Sequence, residues 1–251
     1  MPPPELKDPM LRIAPVFMLL LWACVAAAAA GDPDLPPANY PKIAARGATF
    51  ERFVPPGWRL EQAVTGDLNG DGRPDAALVL RDNDPKKFIE TGRESMPRFD
   101  TNPRVLAVVF AADKGGYALA LENHTLVART DDPLQQDPLD PDGIQAGEIA
   151  IKNGTLRITL GYFGGNMGRM TYTFRFQNGR FEMIGYDRVD VTRNSGVTSD
   201  VSINYSTQQM VRKKGHISND KEKVTRTRLP PTPLLTLEQV GDGLAFQAPG
   251  D

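Results

Sequence analysis

The sequence predicts an all-β fold in which antiparallel hairpins follow one another as a meander. The meander is expected to form either a propeller-blade-like sheet or a sandwich. Three observations predict it. Short apolar runs are joined in pairs by Gly-Gly at 115–116 and by Asn-Gly at 153–154 and 178–179, which are residues of tight β-turns. Tyr172 and Phe174 alternate with polar residues, as in a strand with one buried face. Gly and Pro, at 23 and 22 residues, favour turns and short strands over long helices.

The first thirty residues have the layout of a secretory signal peptide. Lys7 and Arg12 precede an apolar run, 16–30, that ends in small residues. In a helix this run spans roughly 22 Å, less than the ~30 Å hydrocarbon core, so we expect cleavage after Ala30 rather than a membrane anchor. Cys24 is the single cysteine. It gives an alternative in which a lipobox-like segment is lipidated at Cys24 and anchors the chain.

Beyond the leader at 1–30, composition divides the chain into a linker, one domain and a tail. Residues 31–41 are rich in Pro and Asp and predict an extended linker. Residues 42–240 are predicted to form a single all-β domain, with a short helix allowed near its start, at 40–53. Residues 241–251 are assigned to a tail. No membrane span is expected after processing.

The predicted strands follow in order along the domain. A strand at 76–80 comes directly after an acidic loop, and 105–112 pairs with 117–121 through the Gly-Gly turn. Residues 234–237 are a candidate to close the sheet. The other predicted strands are 148–152, 155–162, 170–177, 180–188, 197–205 and 209–213.

One acidic loop carries the clearest chemical signal in the sequence. Asp67, Asn69 and Asp71 occupy loop positions one, three and five, and Asp75 occupies position nine. Oxygen-bearing side chains at alternating positions of a tight loop converge on one point, and Ca²⁺ takes six to eight oxygen ligands. Gly72 at position six fits the sharp turn of such a loop.

We therefore predict a calcium site in the loop 67–75, with Arg73 adding its backbone carbonyl at position seven. Calcium would neutralise three carboxylates that otherwise repel one another. Position twelve is Leu78, so the bidentate Glu of an EF-hand is missing, and a strand follows instead of a helix. The alternative is an Asp/Asn/Gly turn capped by its own side chains.

Residues 66–75, followed by an apolar strand, resemble the calcium loop of the FG-GAP/VCBS repeat, which occurs in integrin-α propellers and in many bacterial exported proteins. The resemblance covers about 50 residues, near the length of one repeat unit. It implies calcium at Asp67, Asn69, Asp71 and Asp75 in an all-β setting. The single copy departs from the propeller proteins, so the resemblance does not extend to a full propeller or to an adhesion role.

Two further segments have both a structural and a functional interpretation. The glycine-rich loop 161–168 is either a connection between hairpins or a ligand rim with Tyr162 and Phe163 as stacking surfaces. Residues 131–143 hold five aspartates and three prolines. They predict a mobile acidic loop, with a second calcium site as the alternative.

The charge of the chain gives no general attraction to nucleic acid, since the formal net charge is −2. Basic residues gather in 212–214 and 221–228 without interleaved aromatic residues, so nucleic-acid binding is not expected. These stretches predict a lysine-protected edge strand, or else a contact with anionic lipid, glycan or protein.

No residue pattern identifies a reaction. His124 and His216 lack zinc-ligand spacing, no Gly-x-Ser-x-Gly elbow is present, and no catalytic residue is assigned. The sequence predicts an exported, calcium-stabilised β-domain that acts as a binding or cell-envelope interaction module, with an unknown protein or glycan partner. An exported hydrolase acting on glycan or peptide is the alternative. The expected location is periplasmic or secreted, or the outer membrane if Cys24 is lipidated.

Overall fold

The computed structural model describes residues 36–94 and 96–249, and in them strands predominate. The leader at 1–30, including Cys24, and the first part of the linker lie outside the described residues. Within the described ranges, no helix has the length and apolar character needed to cross a membrane.

The described elements are mostly strands, with two 3₁₀ helices and one short α-helix. The helical elements are the 3₁₀ helices Phe50–Phe53 and Pro85–Lys87 and α1 (Leu237–Val240). The strands are β1 (Arg46–Gly47), β2 (Trp58–Gly66), β3 (Asp75–Asp82), β4 (Phe88–Arg93), β5 (Met96–Asp100), β6 (Arg104–Ala111), β7 (Tyr117–Asn123), β8 (Glu148–Lys152), β9 (Thr155–Phe163), β10 (Asn166–Gln177), β11 (Arg180–Thr192), β12 (Val197–Asn204), β13 (Gln209–His216) and β14 (Asn219–Arg228).

These strands form two large antiparallel sheets and one two-stranded ribbon. The five-stranded sheet has the order β1-β7-β6-β3-β2, and the seven-stranded sheet has the order β14-β13-β12-β11-β10-β9-β8. The ribbon pairs β4 with β5. In the seven-stranded sheet each strand pairs with the next one along the chain, which makes a meander. The predicted all-β antiparallel class is confirmed.

The two large sheets share one apolar core. Leu106 and Val108 of β6 belong to the same buried cluster as Ile158 of β9 and Tyr172 and Phe174 of β10. All five side chains are at most 2% exposed. Because side chains alternate across a strand, each of these strands contributes every second residue to the shared core.

Strand β3, which follows the acidic loop, is buried on both faces. Ala77 and Val79 pack in the shared core, whereas Ala76 and Leu78 pack in a second cluster with Phe53. A strand with both faces covered needs no alternation of polar residues, which explains its continuous apolar run. The acidic loop therefore leads directly into the interior of the domain.

Two Asn-Gly turns have the backbone that the sequence predicts. The φ angles are 52° and 68° at Asn153 and Gly154, and 55° and 74° at Asn178 and Gly179. A type I′ turn requires positive φ at both central residues. The predicted hairpins β8–β9 and β10–β11 are therefore confirmed.

Some predicted elements differ from the structure. The expectation that 234–237 closes the sheet is wrong, because only Thr236 forms a bridge, to Glu182, before α1 begins. The helix allowed at 40–53 is limited to the single 3₁₀ turn Phe50–Phe53. The sequence does not predict β2, β4 or β5.

The C-terminal segment packs on the shared core. The Phe246 ring lies edge-on to Tyr172 and Tyr186, with centroids 5.7 and 5.2 Å away. The Tyr172 hydroxyl donates a hydrogen bond to the carbonyl of Gly243. The described residues of the segment assigned to a tail, 241–251, therefore contribute to the core.

Candidate functional site

The predicted calcium loop connects β2 to β3 and depends on two glycines. Gly70 and Gly72 have φ angles of 81° and 80°. A Cβ at either position would meet no atom within 4 Å. Backbone conformation, rather than crowding, is therefore the reason for glycine at these two positions.

Oxygen-bearing side chains hold the loop by accepting backbone hydrogen bonds. Asp67 Oδ1 accepts from the N–H of Gly70 at 2.7 Å, and its Oδ2 accepts from the N–H of Gly72 at 2.9 Å. Asn69 Oδ1 accepts from the N–H of Asp71 at 2.9 Å. A carboxylate offers about four lone-pair sites, so Asp67 retains capacity for a cation.

Asp71 is paired with an arginine of its own loop. The Arg73 guanidinium donates to Asp71 Oδ2 at 2.6 and 3.1 Å and to Asp113 Oδ1 at 2.5 Å. Hydrogen bonds from the Arg73 side chain and backbone lower the pKa of Asp71 to about 2. Asp71 is thus ionised at neutral pH, as a calcium ligand must be, although Arg73 competes for one of its oxygens.

Asp75 is fully buried and joins the loop to a neighbouring strand. Its Oδ2 accepts from the N–H groups of Leu68 at 2.8 Å and Asn69 at 3.2 Å. Its Oδ1 accepts from the N–H of Ala111, the last residue of β6, at 2.9 Å. Three backbone donors offset the cost of burying this polar group. Asp75 therefore organises the loop in addition to its predicted role as a ligand.

The donor set suits calcium, but the side chains do not by themselves form a metal cluster. Carboxylates, an amide oxygen and a backbone carbonyl are the hard oxygen ligands that calcium prefers. Within 36–94 and 96–249, no three His, Cys, Asp or Glu side chains are grouped so that they could hold a metal ion. Calcium at Asp67, Asn69, Asp71, Arg73 and Asp75 stays a prediction.

A buried ion network, which the sequence does not predict, joins the five-stranded sheet to the acidic segment. Arg81 of β3 and Arg104 of β6 are cross-strand partners, and each is 6% exposed. Arg104 donates to Glu61 at 2.5 Å and to Asp137 at 2.6 Å. Arg81 donates to the same two carboxylates at 3.0 and 3.2 Å. Mutual pairing offsets part of the cost of burying these charges.

The two arginines keep both acids of the network ionised. Burial alone raises the pKa of Glu61, but hydrogen bonds and positive charge from Arg104 and Arg81 outweigh it, and the pKa is lowered. The same balance lowers the pKa of Asp137. Such carboxylates serve as ion-pair partners and are poorly suited to donate protons.

No sequence motif marks this network. Its one signal is the position of Arg81 and Arg104, which border the apolar runs 76–80 and 105–112. These runs become neighbouring strands, so their ends meet. Asp137 comes from the segment 131–143, where the sequence predicts a mobile acidic loop, and its carboxylate is partly buried against the arginines.

A cleft of about 490 Å³ adjoins the network. Arg81 and Asp137 contribute to its lining. Leu134 and Ile144, which are 68% and 66% exposed, also line it. Exposed apolar side chains beside convergent polar groups are typical of binding sites, so this cleft is the candidate ligand site.

The glycine-rich loop 161–168 is a hairpin turn that separates its two predicted stacking residues. A two-residue connection joins β9 to β10. Phe163 lines the cleft, and the Arg193 guanidinium lies 4.3 Å from its ring centroid. Tyr162 instead donates a hydrogen bond to Asp190 at 3.1 Å. Phe163, rather than Tyr162, fits the ligand-rim hypothesis.

Comparisons with known proteins give no match: no family model, curated protein or solved structure matches the chain. The likeness of residues 66–75 to the FG-GAP/VCBS calcium loop therefore stays a prediction from those residues. The chemistry of the loop and of the cleft is therefore the basis for inferring function.

Proposed function

We propose that this chain is an exported, calcium-stabilised β-domain that acts as a binding or cell-envelope interaction module. It acts in the periplasm or outside the cell after removal of residues 1–30, or at the outer membrane if Cys24 carries a lipid. The observation that carries the proposal is the loop between β2 and β3, where Asp67, Asn69 and Asp71 place oxygen-bearing side chains at every second position.

Calcium acts in this proposal as a structural metal. Asp67, Asn69, Asp71 and Asp75 supply side-chain oxygens, and Arg73 supplies its backbone carbonyl. The ion neutralises the negative charge that three carboxylates bring into one turn. Because Asp75 also ties the loop to β6, a metal that orders the loop also stabilises the junction of β3 and β6.

The cleft supports the binding role. Its lining combines the exposed residues Leu134 and Ile144 with Arg93, Arg98 and Phe163. Apolar surface with a few charged groups suits a ligand that has both apolar and polar parts. A segment of a partner protein has this character, and so does a glycan. The cleft is therefore the place where one of these two kinds of ligand binds.

The second candidate is an exported hydrolase that acts on glycan or peptide. Most glycoside hydrolases use two carboxyl groups, of which one has a raised pKa and donates a proton. In the cleft, burial would raise the pKa of Asp137, but the charges of Arg104 and Arg81 outweigh burial and lower it. This balance supports binding over acid catalysis by Asp137.

A screen of the exported protein against glycan and peptide arrays tests the binding role. We expect a ligand whose binding is lost in Leu134→Glu and kept in Ile217→Glu. The two side chains are 68% and 69% exposed, so the substitutions are matched in charge and exposure, but Ile217 lies in the turn after β13. Turnover of an arrayed glycan or peptide, or the absence of any ligand whose binding is weakened in Leu134→Glu, would contradict the proposal.

A further inference from the structure

Strand β14 is the exposed edge of the seven-stranded sheet. It ends the strand order, so one of its sides has no neighbouring strand among the described residues. All ten of its residues are exposed. An open edge of this kind presents unpaired backbone N–H and C=O groups and is a template for another strand.

The other edges of the two large sheets are covered or very short. At the opposite end of the seven-stranded sheet, β8 lies against β2, and a Cβ on Gly66 would come within 2.5 Å of Ile151. Strand β1, at one edge of the five-stranded sheet, is only the two residues Arg46–Gly47. Coverage and shortness both protect an edge from unwanted pairing. β14 has neither protection within the described part of the chain.

The β13–β14 hairpin separates its charges by face. Lys214 and Lys223 are direct cross-strand partners, and strand alternation places Lys221 on the same face as Lys223. None of these three side chains makes an ion pair or hydrogen bond with a described residue. On the opposite face, Lys213 pairs with Glu222 at 3.5 Å. One face is therefore neutralised internally, and the other is an unpaired cationic surface.

This arrangement disfavours pairing between two copies of the chain. Like charges directly opposite in a sheet are destabilising, and Lys214 faces Lys223 in this way. A second copy of β14 would add further lysines to the same surface. An anionic strand would instead neutralise the unfavourable pair while it satisfies the free backbone groups.

We propose that β14 binds an extended acidic peptide segment, which adds to the seven-stranded sheet as a further strand. Backbone hydrogen bonds to the free side of Asn219–Arg228 provide attachment, and acidic side chains beside Lys221 and Lys223 provide selectivity. Val224 lies on the opposite face and is 42% exposed. It provides an apolar contact for the peptide side chains that alternate with the acidic ones. This partner class rests on the proposed interaction role and does not depend on calcium.

The test measures binding of a fluorescent peptide, about ten residues of alternating glutamate and threonine, to the full chain by anisotropy. We expect the double variant Lys221→Glu/Lys223→Glu to weaken binding at least about tenfold. The matched control is Lys42→Glu/Lys152→Glu, which changes the charge equally at two exposed lysines outside the hairpin. The control is expected to bind within about twofold of the unchanged chain. Absence of peptide binding, or an equal loss in both double variants, would overturn the proposal.

A second peptide of equal charge, with alternate threonines replaced by proline, separates strand addition from charge attraction. Proline cannot donate a backbone hydrogen bond to a sheet, so we expect at least about tenfold weaker binding. Equal binding of the two peptides would overturn strand addition. Vesicles of anionic phosphatidylglycerol provide a further comparison. If the vesicles bind through Lys221 and Lys223 and the two peptides bind equally well, the partner is a membrane and the proposal is overturned.

Two controls distinguish failure of this inference from failure of the calcium proposal. Thermal unfolding of Lys221→Glu/Lys223→Glu is expected at or above the temperature of the unchanged chain, because the substitution of Lys223 places opposite charges across β13 and β14. Peptide binding is then repeated in calcium and in chelator. If the peptide binds in both solutions, the edge site is supported, even if calcium has no effect on unfolding. If calcium changes the unfolding temperature but no peptide binds, the edge site is overturned and the calcium proposal stands.

Discussion

Asp75 and Ala111 are joined by a hydrogen bond of 2.9 Å, in which the Ala111 backbone N–H donates to the Asp75 carboxylate. The same carboxylate accepts from the N–H groups of Leu68 and Asn69 within the acidic loop. One buried side chain thus connects the loop to β6. The loop belongs to the framework of the sheet, and its integrity is measurable as stability.

Asp75→Ala should lower the free energy of unfolding by about 3 kcal/mol, because one buried and two partly buried backbone donors lose their acceptor. Asp142→Ala is the control, since Asp142 is exposed, and it should change stability by no more than about 0.5 kcal/mol. Urea unfolding followed by circular dichroism measures both. Equal stability of the two variants would show that Asp75 does not hold the loop.

Arg104→Met should destabilise the chain by about 3 kcal/mol, because it leaves the partly buried Glu61 and Asp137 with less compensating charge. Arg98→Met is the control. Arg98 is about half exposed and pairs with the exposed Glu90, so its loss should cost no more than about 1 kcal/mol. Chemical denaturation of both variants checks the difference, and a mild effect of Arg104→Met would argue against the network as a source of stability.

The ion network should also make stability depend on acidic pH. The pKa values of Glu61 and Asp137 are lower in the folded chain than in the unfolded chain. Their contribution to the free energy of unfolding is therefore fully present above the unfolded pKa values of about 4, and it is lost as the pH falls through the lower folded values. We expect Glu61→Gln to flatten the fall in unfolding free energy below about pH 4. Glu90→Gln, at a carboxylate that is 75% exposed, should leave the profile unchanged. Identical profiles for both variants would contradict this assignment.

The Asn-Gly turn at Gly179 offers a test of backbone conformation alone. Gly179 has a φ of 74° and open space around a Cβ, so Gly179→Ala should cost about 1 kcal/mol through conformation. Gly165 has equally open space but lacks positive φ, so Gly165→Ala should stay within about 0.5 kcal/mol of the unchanged chain. Thermal unfolding of the two variants compares them, and equal effects would argue against a type I′ turn.

The hairpins could be predicted because their signals are local. Asn153-Gly154 and Asn178-Gly179 specify turns through the φ angles of two adjacent residues. Strand β2 could not be predicted in this way. A register shift between Leu60 and Gln62 interrupts its pairing with β3, and the alternation of apolar residues is lost at that point.

The candidate site was predictable only in part, for a similar reason. The spacing of Asp67, Asn69 and Asp71 is local, so the sequence shows the loop. Two further contacts of the loop reach distant segments: Arg73 pairs with Asp113, forty residues away, and Asp75 accepts from Ala111, 36 residues away. Contacts between distant segments require the sheet pairing, which local patterns do not specify.

Thermal unfolding in calcium and in chelator is the most direct test of the central claim, and two variants sharpen it. Asp71→Asn keeps an oxygen able to accept the Arg73 backbone N–H but removes the charge that calcium needs. Asp113→Asn is the control, because it removes the charge of the other carboxylate that pairs with Arg73 and lies outside the loop.

With calcium at about 100 times its Kd, binding to the folded chain adds about 2.7 kcal/mol of stability. For a chain of this size, we expect the Tm to rise by roughly 5–10 °C in calcium. Asp71→Asn should lose most of that rise, and Asp113→Asn should keep it. An unchanged chain that unfolds at the same Tm in calcium and in chelator would contradict the account.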